Sequence, residues 1–265
     1  MGAFTWKYGK KQEQEKTMAL IETSVKGRIE YITLNRPEKL NSLTAEMTKD
    51  LIAAIIDFRE NPDAWVAILH GRGRAFCTGF DLNEVASSTV LPKRALLEIF
   101  QTFKPIISAI NGYCLAQGAG LALACDISIA AEDLQLGWPH VKRGISSMSG
   151  ASMGAHELPL NIAFEHLFTG ELLDARQAER HYLVNKVVPN EMLLTETEKL
   201  AAKIAANAPL AVSAMKEAAV LGLDMPRERR IGYAARMLAH TLQTEDAKEG
   251  VAAFLEKREP IWKGK

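Results

Sequence analysis

The chain has 265 residues, 48% hydrophobic and 24% charged, with Lys+Arg 32 against Asp+Glu 32 and a formal net charge of zero. That length buries a sizeable core, so disorder is not the default, and a neutral balance lacks the basic excess that sequence-independent nucleic-acid binding needs. Cys77, Cys114 and Cys125 form neither a CxxC pair nor a disulfide framework, which suits a reducing, cytoplasmic setting.

In chain order, Met1 to Thr17 is polar throughout, lacks the apolar core of a signal peptide and reads as a flexible leader over residues 1–17, with Met18 an alternative start. Ala19 to Asn35 gives two runs rich in Ile, Val and Thr, broken at Lys26-Gly27, which predict a β-hairpin. A helix follows, capped by Ser42 or Thr44, with Met47, Leu51, Ile52, Ile55 and Ile56 at helical spacing. Trp65 to Leu69 and Pro105 to Ile110 are short apolar runs and predict buried strands, as does Ile127 to Ala130; Gly71 to Gly79 reads as a loop. The 21 uncharged residues from Pro105 to Cys125 approach the length of a membrane span. Pro105, Asn111, Gly112, Gln117, Gly118 and Gly120 punctuate the run and Asp126 ends it, so no membrane partner is expected. Leu193–Asn207, Pro209–Gly222, Pro226–Gln243 and Asp246–Lys257 predict helices. Strands alternating with helices give an α/β class with a parallel sheet, and no internal repeat is visible.

Two glycine-bearing loops follow buried strands: Cys77 to Leu82, and Asn111 to Gly120. Each can present backbone N–H groups at a helix start, and together they can form an oxyanion hole; glycines in such places also simply permit turns. No GxGxxG follows the first strand, which disfavours a dinucleotide site.

Five motifs stand in one order: Asn35 to Leu43 (NRPEKLNSL), Ala75 to Leu82 (AFCTGFDL), Lys104-Pro105 through Asn111-Gly112, Ala124-Cys125-Asp126, and Lys248 to Arg258 (KEGVAAFLEKR). In this register, over Ala19 to Lys265, the chain resembles the crotonase (enoyl-CoA hydratase/isomerase) superfamily. The resemblance implies a spiral of ββα turns over residues 18–195, a helical trimerisation region over 196–265, and a homotrimer or a dimer of trimers. It also implies an acyl-CoA thioester substrate, with CoA arriving as part of the substrate and no further cofactor or metal. Two backbone N–H groups, by position those of Phe80 and Gln117, would hold the thioester oxygen. The resemblance further places Lys39, Leu40, Ala75, Cys77, Gly79, Asp81, Leu82, Gly118, Gly120, Pro139 and Lys257 at the substrate surface. Phe254 reads as packing, and Asn83 to Phe103 is expected to help shape the acyl pocket.

The chain departs from the pattern where acid and base should stand. Family members that hydrate enoyl-CoA use two glutamates, and the matching positions here hold Gly120 and His140. His140 is the best-placed substitute proton carrier, because imidazole titrates near neutral pH, and the alternative is a hydrogen-bonded wall of the pocket beside Trp138. Ser146, Ser147, Ser149 and Ser152 can orient water or act as local turn caps. Glu84 reads as an acid on a helix surface or facing the acyl pocket, Asp81 as a brace of its own loop and Asp126 as a cap or brace of the strand that follows it, and Tyr182 occupies a usual glycine position. The reading is an acyl-CoA lyase or isomerase that stabilises a thioester enolate. A thioester hydrolase in the same pocket and an acyl-CoA-binding scaffold without chemistry are the alternatives.

Overall fold

A computed structural model describes residues 19–84 and 90–265; the leader expected over residues 1–17 and part of the segment expected to shape the acyl pocket lie outside them. The Lys26-Gly27 break becomes a two-residue turn: β1 (Ile21–Lys26) and β2 (Ile29–Leu34) pair antiparallel, with Lys26 opposite Ile29 and Gly27 at φ 62°. Thr44 rather than Ser42 caps α1 (Ala45–Glu60), its side chain accepting from Met47 N–H; such a cap contributes about 1 kcal/mol. The helix buries Met47, Leu51, Ile52, Ile55 and Phe58.

Next come β3 (Val66–Gly71), β4 (Ala75–Cys77), α2 (Val90–Phe100), β5 (Ile106–Ile110), β6 (Tyr113–Leu115), α3 (Gln117–Ala124), β7 (Ile127–Ala131) and β8 (Gln135–Gly137). Successive strands alternate between two sheets, so the chain winds as ββα turns. One sheet has the order β1-β2-β3-β5-β7 and ends on β10; the other runs β4-β6-β8 and ends on β9. From β2 to β10 the larger sheet is parallel. The segment expected as a loop from Gly71 to Gly79 therefore carries a buried strand. Likewise, the apolar run Pro105–Cys125 resolves into a strand, a second strand and a helix.

After β8 follow a 3-10 turn Pro139–Arg143, a π-helical turn Gly150–Gly154, α4 (Ala155–Glu157), α5 (Leu160–Thr169), β9 (Leu173–Asp174), α6 (Ala175–Arg180) and β10 (Lys186–Val188). Tyr182, just past α6, takes the left-handed conformation (φ 59°) that glycine accepts freely, at roughly 1 kcal/mol of strain, and is 93% exposed.

Side chains alternate across the larger sheet. Ala67 and Leu69 of β3 join the main core with α1 and α3, whereas Val66 and Ile68 meet Ile107, Ala109 and Ile129 on the other face. That second face is covered by α7 (Leu193–Ala205) through Leu193 and Ala201. Burial on both faces explains why β3 and β5 read as unbroken apolar runs. The last helices are α8 (Pro209–Gly222), α9 (Arg227–Thr241) and α10 (Glu245–Glu256), and α9 buries none of its residues. No single described helix is long and apolar enough to cross a membrane.

Candidate active site

The motif Asn35–Leu43 folds back as a tight clasp. Asn41 is fully buried in the left-handed region (φ 54°); its Oδ1 accepts from Arg36 N–H at 2.8 Å, and its Nδ2 donates to Ala75 O at 2.7 Å and Arg72 O at 3.0 Å. The Leu40 carbonyl accepts from both the N–H and the Oγ1 of Thr78, each at 3.2 Å. Arg36 Nη1 donates to Asp81 Oδ2 at 2.8 Å and to the Oγ and backbone oxygen of Ser42, each at 3.0 Å. The guanidinium holds the Asp81 carboxyl below its usual range. These bonds lock the clasp to the loop Ala75–Leu82 and set Lys39 and Leu40 on the wall of a cavity.

The loops that carry Phe80 and Gln117 both border that cavity. Leu43 N–H donates to Gly79 O at 2.7 Å, and Leu43 O accepts from Asp81 N–H at 3.0 Å, a parallel bridge between Leu43 and Phe80. In such a bridge the peptide groups of the opposed residue point the other way, so the Phe80 N–H faces away from Leu43. Gly79 (φ 93°) makes the approach possible: a Cβ there would lie 2.6 Å from Ala116 Cβ and 3.3 Å from Gln117 N. Gly118 is equally constrained, since a Cβ would collide with Cys77 O. Gln117 is the first residue of α3, where the N–H lies outside the helix's own ladder and the dipole favours negative charge. Ala116 before it adopts φ 57°, ψ −119°, a conformation suited to glycine, and so stores strain at the turn that aims the Gln117 amide.

Where a second glutamate would project, the chain is filled. A Cβ on Gly120 would lie 2.6 Å from Ser149 Cβ and 3.1 Å from Ser149 Oγ. Ser149 is buried; its Oγ donates to Ala116 O at 3.0 Å and accepts from Trp138 Nε1 at 3.2 Å. The serine thus ties the strained turn to the indole, and Gly120 is the partner that makes room for it. Ser147 and Ser152 serve as local caps, Ser147 Oγ accepting from Gly150 N–H and Ser152 Oγ donating to Met148 O.

The cavity measures about 590 Å³, and its wall includes Lys39, Leu40, Phe80, Asp81, Leu82, Glu84, Gln117, Pro139, His140, Arg143, Ser146 and Ser149. His140 is half-buried, and desolvation, reinforced by the Arg143 charge, pushes its pKa below the ordinary imidazole value; the Trp138 backbone opposes this in part. Its Nδ1 is sealed from solvent without a hydrogen bond of normal geometry, which leaves Nε2 as the nitrogen able to exchange protons. Desolvation and the Arg143 charge thus both favour the neutral ring. Glu84 also reaches the cavity, its Oε2 accepting from Ala45 N–H at the start of α1.

The structure thus gathers Phe80, Gln117, His140, Lys39, Leu40, Asp81, Leu82 and Pro139 at one cavity. Ala75, Cys77, Gly79, Gly118 and Gly120 do not line it: they are the packed layer behind it, where side-chain-free backbone lets the two loops touch. Burial pushes the Cys77 thiol up to about 12 and raises those of Cys114 and Cys125, so all three stay protonated and inert. Lys257 is the left-handed C-cap of α10 and does not line the cavity, and Phe254, expected to pack, is 82% exposed. The sequence reading passed over Arg143; its spacing of three from His140 was the available signal. Asp126 braces an earlier strand instead of the one that follows it: its Oδ2 accepts from Ile106 N–H at the start of β5 and from Lys216 Nζ, each at 2.7 Å.

Comparison with known proteins agrees with this architecture. The chain is 39% identical over 253 residues to the (E)-benzylidenesuccinyl-CoA hydratase of Thauera aromatica, covering 92% of this chain and 99% of that one. It is 36% identical over 252 residues to the carnitinyl-CoA dehydratase of Citrobacter koseri, covering 90% and 96%. The crystal structure of enoyl-CoA hydratase from Bacillus anthracis superposes with a TM-score of 0.89 at 31% identity, over 93% of this chain and all of that one. Residues 24–265 match the family model for enoyl-CoA hydratase/isomerase, and the chain belongs to that family.

Proposed function

We propose that this protein is an acyl-CoA lyase or isomerase that forms a thioester enolate held by the N–H groups of Phe80 and Gln117, with His140 as the proton carrier. The observation that carries this reading is the close approach of Gly79 to Ala116 and Gln117, which packs the loop before Phe80 against the start of α3 at the wall of a cavity that His140 also lines. Each such donor stabilises a developing oxyanion by about 2.7–4 kcal/mol.

The chemistry follows from what the cavity contains. The two-glutamate route to hydration is closed, since position 120 is occupied by Ser149 and position 140 is imidazole. A neutral His140 takes the proton from the α-carbon, and the C–H electron pair passes into the enolate. The resulting imidazolium returns that proton, either to a β-hydroxyl that leaves as water or to the γ-carbon of a shifted double bond. The relatives named hydratase and dehydratase act on CoA thioesters by water addition or removal, which favours the first outcome. Lys39, on the cavity wall beside Leu40 that Thr78 clamps, is on this reading the partner of a CoA phosphate.

Assembly as a trimer, single or doubled, fits the same reading. On α9 and its C-cap, Ile231, Leu238 and Leu242 repeat at helical spacing and are 65%, 59% and 63% exposed, an apolar stripe that a second copy would cover. The test of function is turnover of a panel of 2-enoyl-, 3-enoyl- and 3-hydroxyacyl-CoA thioesters, followed by loss or gain of the conjugated enoyl absorbance. Conversion without free thiol supports a lyase or isomerase. Release of free CoA would assign hydrolysis instead, and tight binding without any turnover would assign a scaffold.

A further inference from the structure

The cavity holds a cation that the reaction above does not use. Arg143 closes the same 3-10 turn that begins at Pro139 and carries His140. Residues three apart on a 3-10 helix eclipse one another, separated along the axis by about 6 Å at 2.0 Å per residue. His140 and Arg143 therefore project from one face into one cavity, and the guanidinium charge is near enough to lower the imidazole's proton affinity.

The neighbouring cation shows the contrast. Lys142 Nζ is spent on Glu171 Oε1 at 2.8 Å. Arg143 makes no ion pair among the described residues; its one hydrogen bond is a long contact of Nη1 with the Pro139 carbonyl at 3.4 Å. A five-donor fork on a cavity wall, beside a base whose basicity it depresses, is suited to an anion brought by the ligand. CoA itself has phosphates, but the long pantetheine arm separates them from the thioester, whereas Arg143 stands one helical turn from the residue that meets the α-carbon. The anion it meets belongs to the acyl group.

Resting on the enolate reading for the placement of the thioester, we propose that Arg143 is a specificity-determining residue that recognises a carboxylate on the acyl chain. The preferred substrates are then CoA half-thioesters of dicarboxylic acids. Ser146, on the same wall, is placed to add a hydroxyl donor to that carboxylate. The acids nearest in the cavity do not cancel the cation, because Asp81 is paired with Arg36 and Glu84 caps α1.

The test uses binding, so that it stands apart from turnover. Affinities of glutaryl-CoA and valeryl-CoA, which differ in a terminal carboxylate against methyl, are measured by calorimetry on the full-length protein and on Arg143→Gln and Arg143→Lys. The wild type is expected to prefer glutaryl-CoA by about tenfold or more, the worth of one charge-assisted hydrogen bond. The preference should collapse toward unity in Arg143→Gln and return in part in Arg143→Lys, with unchanged circular dichroism showing that the variants fold. Equal affinities in the wild type, a preference that survives Arg143→Gln, or an equal loss for both ligands would each overturn the proposal. A retained preference in a protein that turns over no thioester would overturn the enolate reading and leave the carboxylate site standing.

Discussion

If Gly120 exists to accommodate Ser149, then adding a single methyl at position 120 should destabilise the protein, and trimming Ser149 should remove most of that cost. The Cβ of Gly120→Ala would sit 2.6 Å from Ser149 Cβ. Carbon atoms prefer about 3.5–4.0 Å, so about 1 Å of displacement must be found in a layer that also holds Trp138 and Ala116 through the Ser149 hydroxyl. Overpacking of this kind costs roughly 1–3 kcal/mol, and for a chain of this size each kcal/mol lowers Tm by about 2–4 °C. The expected loss is roughly 2–12 °C. Ser149→Gly alone is also destabilising, because it leaves the Trp138 N–H and Ala116 carbonyl without that partner. In the double variant the two losses should be strongly non-additive, since the steric conflict that destabilises Gly120→Ala is absent once Ser149 is trimmed. Thermal unfolding of the four proteins gives the coupling directly. A Gly120→Ala protein as stable as the wild type, or losses that simply add, would show that Ser149 does not occupy this space. The same geometry predicts that Gly120→Glu does not restore two-carboxylate hydration.

Four further outcomes are expected. Gln117→Pro deletes the backbone donor at a first helical position, where proline is well accepted, and should lower kcat by about 10²–10³ while Gln117→Ala, which keeps the N–H, retains most activity. Because burial and Arg143 depress the His140 pKa, kcat/KM should stay flat through pH 7 and fall with acid below the ordinary imidazole value near 6.5, and His140→Gln should abolish that limb; a rate that instead declines as pH rises past 7 would assign the imidazolium as the required form. Arg36 holds the Asp81 carboxyl below its usual pKa, so the pair's stabilisation is present above pH about 4 and is lost as pH falls through the lowered folded value. Asp81→Asn should therefore reduce stability to urea at pH 7 and differ little from the wild type in acid. Finally, Ile231→Asp with Leu238→Asp should shift light scattering toward the protomer, and an unchanged mass would move the interface away from α9.

Much of the larger sheet could be read from the residues. The hairpin turn at Gly27, the helix cap at Thr44 and the apolar runs of β3 and β5 each carry their own local signal, and α8 runs over Pro209–Gly222 as its pattern indicated. The smaller sheet could not. Its strands β4, β6 and β8 are three residues long, too short for alternation to show, and β4 in particular exists only because Asn41 and the neighbouring strands supply its hydrogen-bond partners. Without them the ββα repeat is invisible, since the turns share geometry but not sequence. At the candidate site, Phe80, Gln117 and His140 could be placed by motif, whereas the role of Gly120 needed coordinates: nothing linear connects it to Ser149, 29 positions away. Glycines assigned to the substrate surface proved to be the backing of that surface, because a residue without a side chain serves close approach of backbone as readily as approach of ligand.

The central claim, that the amides of Phe80 and Gln117 grip one thioester oxygen, is tested most directly by the vibration of that carbonyl. A saturated acyl-CoA carrying ¹³C at the thioester carbon, bound to the wild-type protein, should show its C=O stretch moved clearly to lower frequency than in water, and moved back toward the free value in Gln117→Pro. A stretch that binding leaves at its aqueous frequency, with the thioester fully bound, would contradict the account whatever reaction the protein is found to catalyse.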